Sequence, residues 1–189
     1  KCWSSATINA TGQHVGGIVG AVTTALTIEN CYTSGEVYAK GQLCGGIVGR
    51  AAAAVTVQNC YSTAKVTSAA SGAAGIVGKV EKASDIQNCI AWNSEIVCSR
   101  TANNVWAPGA ITGTVLVAST LQECYRKSDL VFTDAAGAMT LMDHDNIQND
   151  LPPYPSYAIS DPNQRAYHGI AAEAGATLSS VATFVGWDE

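Results

Sequence analysis

Gly45-Gly46-Ile47-Val48-Gly49, followed ten residues on by Asn59-Cys60-Tyr61, decides the fold, because both phrases recur at a fixed interval. Working outward from them, Cys2, Cys31, Cys60 and Cys89 are each 29 apart, and Cys124 follows after 35. Gly20, Gly49 and Gly78 keep the same spacing, with Gly113 again displaced to 35. Self-similarity at such a period is the mark of a stacked repeat. Three apolar files travel with it. Ile18, Ile47, Ile76 and Ile111 form the first; Ile28, Val57, Ile86 and Leu121 each stand three residues before a cysteine; Ile8, Val37, Val66, Ile96 and Leu130 stand six or seven after one. Three files per period predict three short strands per turn, in four to five copies of a unit of about 29 residues.

Helical repeats have similar periods, but these segments are β-branched and punctuated by Gly, which costs a helix interior about 1 kcal/mol relative to Ala. Leu26-Thr27-Ile28 and Val55-Thr56-Val57 alternate with the period of two that a strand requires. Like residues of successive copies then stack about 4.8 Å apart in parallel sheets. Parallel crossovers are right-handed by strong preference. The fold class expected is all-β, a right-handed parallel β-helix, with repeats over 1–133 and an irregular excursion and closing turn of the same domain over 134–189. Every copy has Ile at the Ile18 position, which predicts an inward side chain, and the next residue (Val19, Val48, Val77, Thr112) is expected to point outward. Ile28 and Cys31 can both face inward only if the chain bends at Glu29-Asn30. Asn30, Asn59 and Asn88 occupy that bend; Asn tolerates a left-handed backbone, and its amides can form a ladder along the axis. Glu123 replaces Asn in the fourth copy, where the ladder should weaken.

Composition fits thin layers. The chain is 47% hydrophobic but only 7% aromatic and 13% charged, so small β-compatible side chains must fill the core. A net charge of -5 leaves no basic stripe for a phosphate backbone, which argues against a nucleic-acid partner. No window reaches the roughly 18 apolar residues of a membrane span, and Lys1 to Ser5 lack the form of a signal peptide while lying in phase with the repeat. The chain is thus expected to be cut from a longer precursor.

The pairing of Gly45 to Gly49 with Asn30 to Tyr32 and Ser34 to Val37 resembles the GLUG-type repeat, over roughly residues 1 to 133, and the closing run ATFVGWDE is similar to the end of such an array. The departures are Ala74 for a Gly, Ile90 where other copies have an aromatic, and six extra residues between Cys89 and Ile111. The resemblance implies a bacterial surface or secreted β-helix, of the kind found in adhesin-like proteins of gut Bacteroidetes and in accessory regions of immunoglobulin A peptidases. It implies a location outside the cell or on its surface. The zinc-peptidase signature HExxH is absent, since His14, His144 and His168 are followed by Val, Asp and Gly.

Seven cysteines in an exported protein would ordinarily suggest disulfides. Five at one equivalent position instead predict a file of free core thiols, because a bridge needs Cβ atoms about 3.8 Å apart, closer than the stacking distance. Cys44 replaces Val15 and Ala73 and is read as core; the pattern assigns no state to Cys98. Trp3, Tyr32, Tyr61, Ile90 and Tyr125 follow the cysteines directly and form a second file. It is either an exposed amphipathic strip or a self-packing ladder that can lie under a loop. The insertion carries Trp92, Asn93, Asn103, Asn104, Trp106 and Pro108, and repeat-breaking loops often hold a solenoid's function. Candidate binding residues are therefore Trp92, Trp106, Asn103, Asn104, Tyr32, Tyr61 and Tyr125. Asp143, Asp145, Asn146 and Asp150 lack EF-hand spacing and read as a solvated turn, so no metal or cofactor is expected. Ala171 to Ser180 reads as partly helical and Val181 to Trp187 as a last strand. Glu36 beside Lys65 is indistinguishable from a surface ion pair. Three functions remain: a non-catalytic adhesin-like module holding a glycan or protein partner, a carbohydrate-active β-helix enzyme (lyase or hydrolase), and a purely structural stalk.

Overall fold

The computed structural model describes residues 1–99, 108–117, 119–134, 137–139 and 169–184. The first turn comprises β1 (Trp3–Ser4), β2 (Thr7–Ala10), β3 (Val15–Gly16), β4 (Val19–Val22) and β5 (Leu26–Glu29). The second repeats it as β6 (Tyr32–Thr33), β7 (Glu36–Ala39), β8 (Cys44–Gly45), β9 (Val48–Ala51) and β10 (Val55–Gln58). The third does so as β11 (Tyr61–Ser62), β12 (Lys65–Ser68), β13 (Ala73–Ala74), β14 (Val77–Val80) and β15 (Asp85–Gln87). Next come β16 (Ile90–Ala91), β17 (Glu95–Cys98), β18 (Thr112–Val115) and β19 (Thr120–Gln122), then β20 (Tyr125–Arg126) and β21 (Val131–Asp134). Each strand pairs in parallel with its copy one turn away, at an offset of 29 residues through the first three turns (Tyr32↔Tyr61, Val37↔Val66, Val57↔Ile86). The molecule is a parallel β-solenoid. Three strands per turn, as the apolar files predict, are three or four residues long, and two two-residue strands, typified by β6 and β8, bridge the corners between them.

We number the sheets by their place in a turn. Sheet 1 holds β1, β6, β11, β16 and β20; sheet 2 holds β2, β7, β12, β17 and β21; sheet 3 holds β3, β8 and β13; sheet 4 holds β4, β9, β14 and β18; sheet 5 holds β5, β10, β15 and β19. Inward files from all sides meet in one apolar cluster, with Val37, Ile47, Val57, Val66, Ile76, Ile86, Ile96 and Ile111 at most 1% exposed. The six extra residues of the fourth turn divide in two. Asn93 is one, between β16 and β17; the other five fall between Cys98, which pairs with the turn below through Ser68, and Gly109, which bridges Ala74.

The expected outward face of sheet 4 is overturned. Val48, Val77 and Thr112, read as outward, are fully buried, and only Val19 in the first turn is partly open. The reason is the glycine content of this segment. A Cβ built on Gly45 would lie 1.9 Å from the Val48 carbonyl oxygen, and one on Gly49 would lie 2.6 Å from the Gly20 carbonyl oxygen of the turn below. Backbone therefore lies against backbone, leaving no room for water, and the whole run Leu43 to Gly49 is buried.

The corner after sheet 5 behaves as its chemistry dictates. Asn30, Asn59, Asn88 and Glu123 all take positive φ, between 49° and 53°. The Asn59 amide donates to the Asn30 side-chain oxygen at 3.4 Å, and Asn88 donates to Asn59 at 3.3 Å. Glu123 holds the same strained backbone without an amide to continue the ladder. Glu123→Asn is thus expected to stabilise the chain by about 0.5–1 kcal/mol, since Asn tolerates left-handed φ and can pair with Asn88. Chemical denaturation checks this; an unchanged or lowered midpoint would count against the corner account.

Beyond β21 the regular rungs stop. β22 (Gly137–Met139) turns back antiparallel on β21, and β23 (Ile170–Ala171) adds in parallel to β20 as the last strand of sheet 1. Residues 178–184 form a helix, α1 (Leu178–Phe184), so the strand expected from Val181 onward is not formed in its described part. Thr177 caps the helix reciprocally: the Ser180 N–H donates to Thr177 Oγ1 at 3.3 Å, and the Thr177 N–H donates to Ser180 Oγ at 3.0 Å. A helix of this length is marginal by itself and depends on what it packs against.

Candidate functional site

Sheet 1 carries the aromatic file in strict register: Trp3, Tyr32, Tyr61, Ile90, Tyr125 and Ile170. Trp3 and Tyr32 stack with centroids 5.9 Å apart and planes within 8°; Tyr32 and Tyr61 stack at 4.9 Å and 1°. Trp3 is 64% exposed, while Tyr32 and Tyr61 are half-buried. The file changes character at Ile90, which is fully buried. Ile90 packs with Ala172 and with Val181 of α1, and Tyr61, Trp92, Tyr125, Ala176 and Leu178 close around them. The column thus begins at the exposed Trp3, stacks through Tyr32 and Tyr61, and from Tyr61 to Tyr125 packs against the C-terminal segment. The substitution of Ile for an aromatic marks where that cover sits. Trp92 belongs to the covered part, whereas Asn103, Asn104, Trp106, the acidic residues from Asp143 to Asp150 and Val185 to Trp187 lie outside the described residues.

Behind sheet 1 runs a polar interior column. Thr33 Oγ1 donates to Ser62 Oγ at 3.1 Å, and the fully buried Asn93 reaches both Ser62 Oγ, at 3.1 Å, and the Ala64 carbonyl. These side chains fill the space facing Gly17, Gly46 and Gly75: a Cβ on Gly46 would sit 2.3 Å from Ser62 Oγ, and one on Gly75 would sit 2.5 Å from Asn93 Oδ1. Asn93, the one-residue insertion in the fourth turn, is a core residue.

All seven cysteines are free thiols. Cys31, Cys60, Cys89 and Cys124 are buried, and each donates its S–H to the carbonyl two residues back, at 3.1, 3.2, 3.2 and 3.4 Å, across the Asn or Glu123 corner. Cys44 and Cys98 are also buried, which assigns Cys98 to the core. Burial pushes the Cys44 thiol up to about 12 and raises those of Cys89 and Cys31, so these sulfurs stay protonated and poor as nucleophiles. Cys2, expected in the same core file, is exposed in this structure.

Several outward charges pair with one another. Lys65 is in register with Glu36, but its ammonium lies 3.0 Å from Glu95 one turn on, and that bond lowers the Glu95 carboxyl below its ordinary value. A tighter cluster sits on sheet 4, where Glu81 takes Arg50 at 2.7 Å and Lys79 at 2.8 Å. The Arg50 hydrogen bond is the main reason its carboxyl falls to about 2. Lys79 is only 7% exposed. Sequence reasoning missed this cluster: Arg50 and Lys79 hold equivalent positions one period apart, but Glu81 has no acidic counterpart, Ala52 standing one turn back. It also missed a shallow recess of about 280 Å³ at the corner between sheets 4 and 5, lined among others by Ala25, Ala54, Ala83, Thr27, Thr56 and Asp85. Alanines recurring every 29 residues were its only signal. Among the described residues no group of three or more His, Cys, Asp or Glu could hold a metal ion, and no helix is long and apolar enough to cross a membrane.

These rungs and their end cover define a parallel β-solenoid repeat protein. Among solved structures the chain is similar to one described as a "putative immunoglobulin A1 protease from Bacteroides ovatus", with a TM-score of 0.69 at 20% identity over 97% of this chain. The match spans 51% of that longer chain, so the sequence corresponds to about half of it. The likeness is one of fold, and it fits the GLUG-type repeat that the sequence resembles. No family model and no curated protein matches the chain.

Proposed function

We propose that the chain is a non-catalytic, extracellular, adhesin-like module that presents the open part of its aromatic column to a glycan or protein partner, with the coil as a stiff spacer. The observation behind this reading is the alignment of Trp3, Tyr32 and Tyr61 at rung spacing, two stacked pairs of amphipathic rings held by strands. Such rings offer contact area at little ordering cost, because the sheet has already fixed them. Arg50, Lys79 and Glu81, and Lys65 with Glu95, are engaged with one another on the outer face of the coil, which supports a structural over a catalytic part for these charges. The Bacteroides ovatus protein is named for proteolysis, and in this reading the solenoid accompanies such chemistry without performing it.

The test is binding to immobilised glycans and to immunoglobulin A. Trp3→Ala and Tyr32→Ala are each expected to weaken it about tenfold with unchanged circular dichroism. Trp106→Ala serves as a second arm for the 91–108 insertion. Undiminished binding by both ring variants would remove the column from consideration, and cleavage of the immunoglobulin or release of sugar ends by the purified chain would replace the reading with an enzymatic one.

A further inference from the structure

Stacking decides which part of each ring a partner can reach. Tyr32 lies between two rings nearly parallel to its own, Trp3 with its centroid 5.9 Å away on one side and Tyr61 at 4.9 Å on the other. Tyr61 has Tyr32 against one face; on the other its neighbour in register is Ile90, and the ring packs with the cluster that Ile90 forms with Ala172 and Val181. The faces of both tyrosines are therefore occupied from within the column. Both residues are nonetheless only half-buried, so what they leave to solvent is ring edge and hydroxyl. An aromatic ring carries negative potential on its faces and positive potential along its edge. The exposed strip is accordingly a line of weakly positive C–H edges at rung spacing. The chain beside it brings no ionic charge: Asn30 to Gly35 and Asn59 to Ala64 contain no Lys, Arg, His, Asp or Glu. Along one margin runs the amide ladder, in which Asn59 donates to Asn30 and Asn88 to Asn59.

We infer, taking the column as the binding surface proposed above, that its partner is a protein segment that lays the π-face of an aromatic side chain across the ring edges of Tyr32 and Tyr61. A sugar is the poorer fit. Pyranose rings meet aromatic residues through C–H bonds directed at a ring face, and here the tyrosine faces are covered while the edges present C–H bonds of the same sign. Acidic sugars find no cation in either segment to hold them. An aromatic side chain brings the opposite sign to the edge, in the edge-to-face geometry that is worth up to about tenfold in affinity beyond simple area burial. Each ladder amide has a further N–H to offer the segment's backbone carbonyls, which gives the aromatic contact a polar rim.

The test follows the ring protons of Tyr32 and Tyr61 by NMR in the full chain as probes are added: N-acetyl-phenylalaninamide, its cyclohexylalanine counterpart, which has similar bulk without a π-face, and methyl β-glucopyranoside. The phenylalanine probe is expected to move the edge protons of Tyr32 upfield by its ring current and to bind about fivefold more tightly than the cyclohexyl probe. The glucoside should move neither ring. Tyr32→Phe, which keeps the edge and drops the hydroxyl, should retain binding within about twofold, whereas Tyr32→Leu should lose about fivefold. The comparison of probes on the unaltered chain stands even where a variant fails to fold. Equal affinity for the phenylalanine and cyclohexyl probes, or a response to the glucoside without one to the phenylalanine probe, would overturn the inference and leave the column a binding surface of another kind. Silence of both rings toward every probe would remove the column itself, and the adhesin reading with it.

Discussion

Gly46→Ala is expected to destabilise the chain by roughly 3–5 kcal/mol, enough to leave it largely unfolded if its stability is ordinary. A Cβ there would meet the Gly75 carbonyl oxygen at 2.0 Å and Ser62 Oγ at 2.3 Å. The hydroxyl can rotate away; the carbonyl belongs to the next turn and is held by the sheet, so the clash must be relieved by shifting a rung. The equivalent position of the fourth turn is Ala110, and none of the strands described continues sheet 4 past it. Alanine is thus found where the opposing carbonyl is not supplied by another such rung. Gly12→Ala, with no atom within 4 Å of the added carbon, is the control and should change stability by less than about 0.5 kcal/mol. Comparable midpoints for the two variants in urea would refute the account of the glycine corner.

Glu81→Gln should cost about 2–4 kcal/mol, because the amide cannot neutralise the nearly buried Lys79 and weakens the bond to Arg50. Glu81 has its carboxyl lowered to about 2 from an ordinary 4.5. A folded-state value below the unfolded one means that the stabilisation is complete above about pH 4.5 and drains away as the pH falls from there toward 2. The variant should accordingly show a flatter loss of stability across that window than the parent. Lys79→Met, which removes the cation together with its desolvation cost, should cost less than Glu81→Gln. An unchanged acid profile, or the reverse order of the two variants, would show that Glu81 does not anchor this cluster.

The solenoid was legible because each rung restates the same constraints. Asn at the corner asks for a left-handed backbone and receives it at Asn30, Asn59 and Asn88, and the thiol files follow from equivalent positions being stacked. What the period could not convey is contact between distant parts of the chain. The cover over Ile90 comes from Val181, some ninety residues on, and its only trace in the repeat was one missing aromatic. Burial of Val48 was missed because alternation describes a strand with one wet face, and close glycine backbones leave this strand none. Of the candidate binding residues, Tyr32 and Tyr61 join the stacked column, while Tyr61, Trp92 and Tyr125 pack against the C-terminal segment, a contact for which the pattern held no term.

The polar column inside the coil also acts as a key. Thr33, Ser62 and Asn93 join successive turns by side-chain hydrogen bonds behind sheet 1, so a strand that slipped by one residue would break these bonds as well as turn its apolar side chains outward. Alignment of the layers is thereby locked from within, by three small polar residues rather than by bulk.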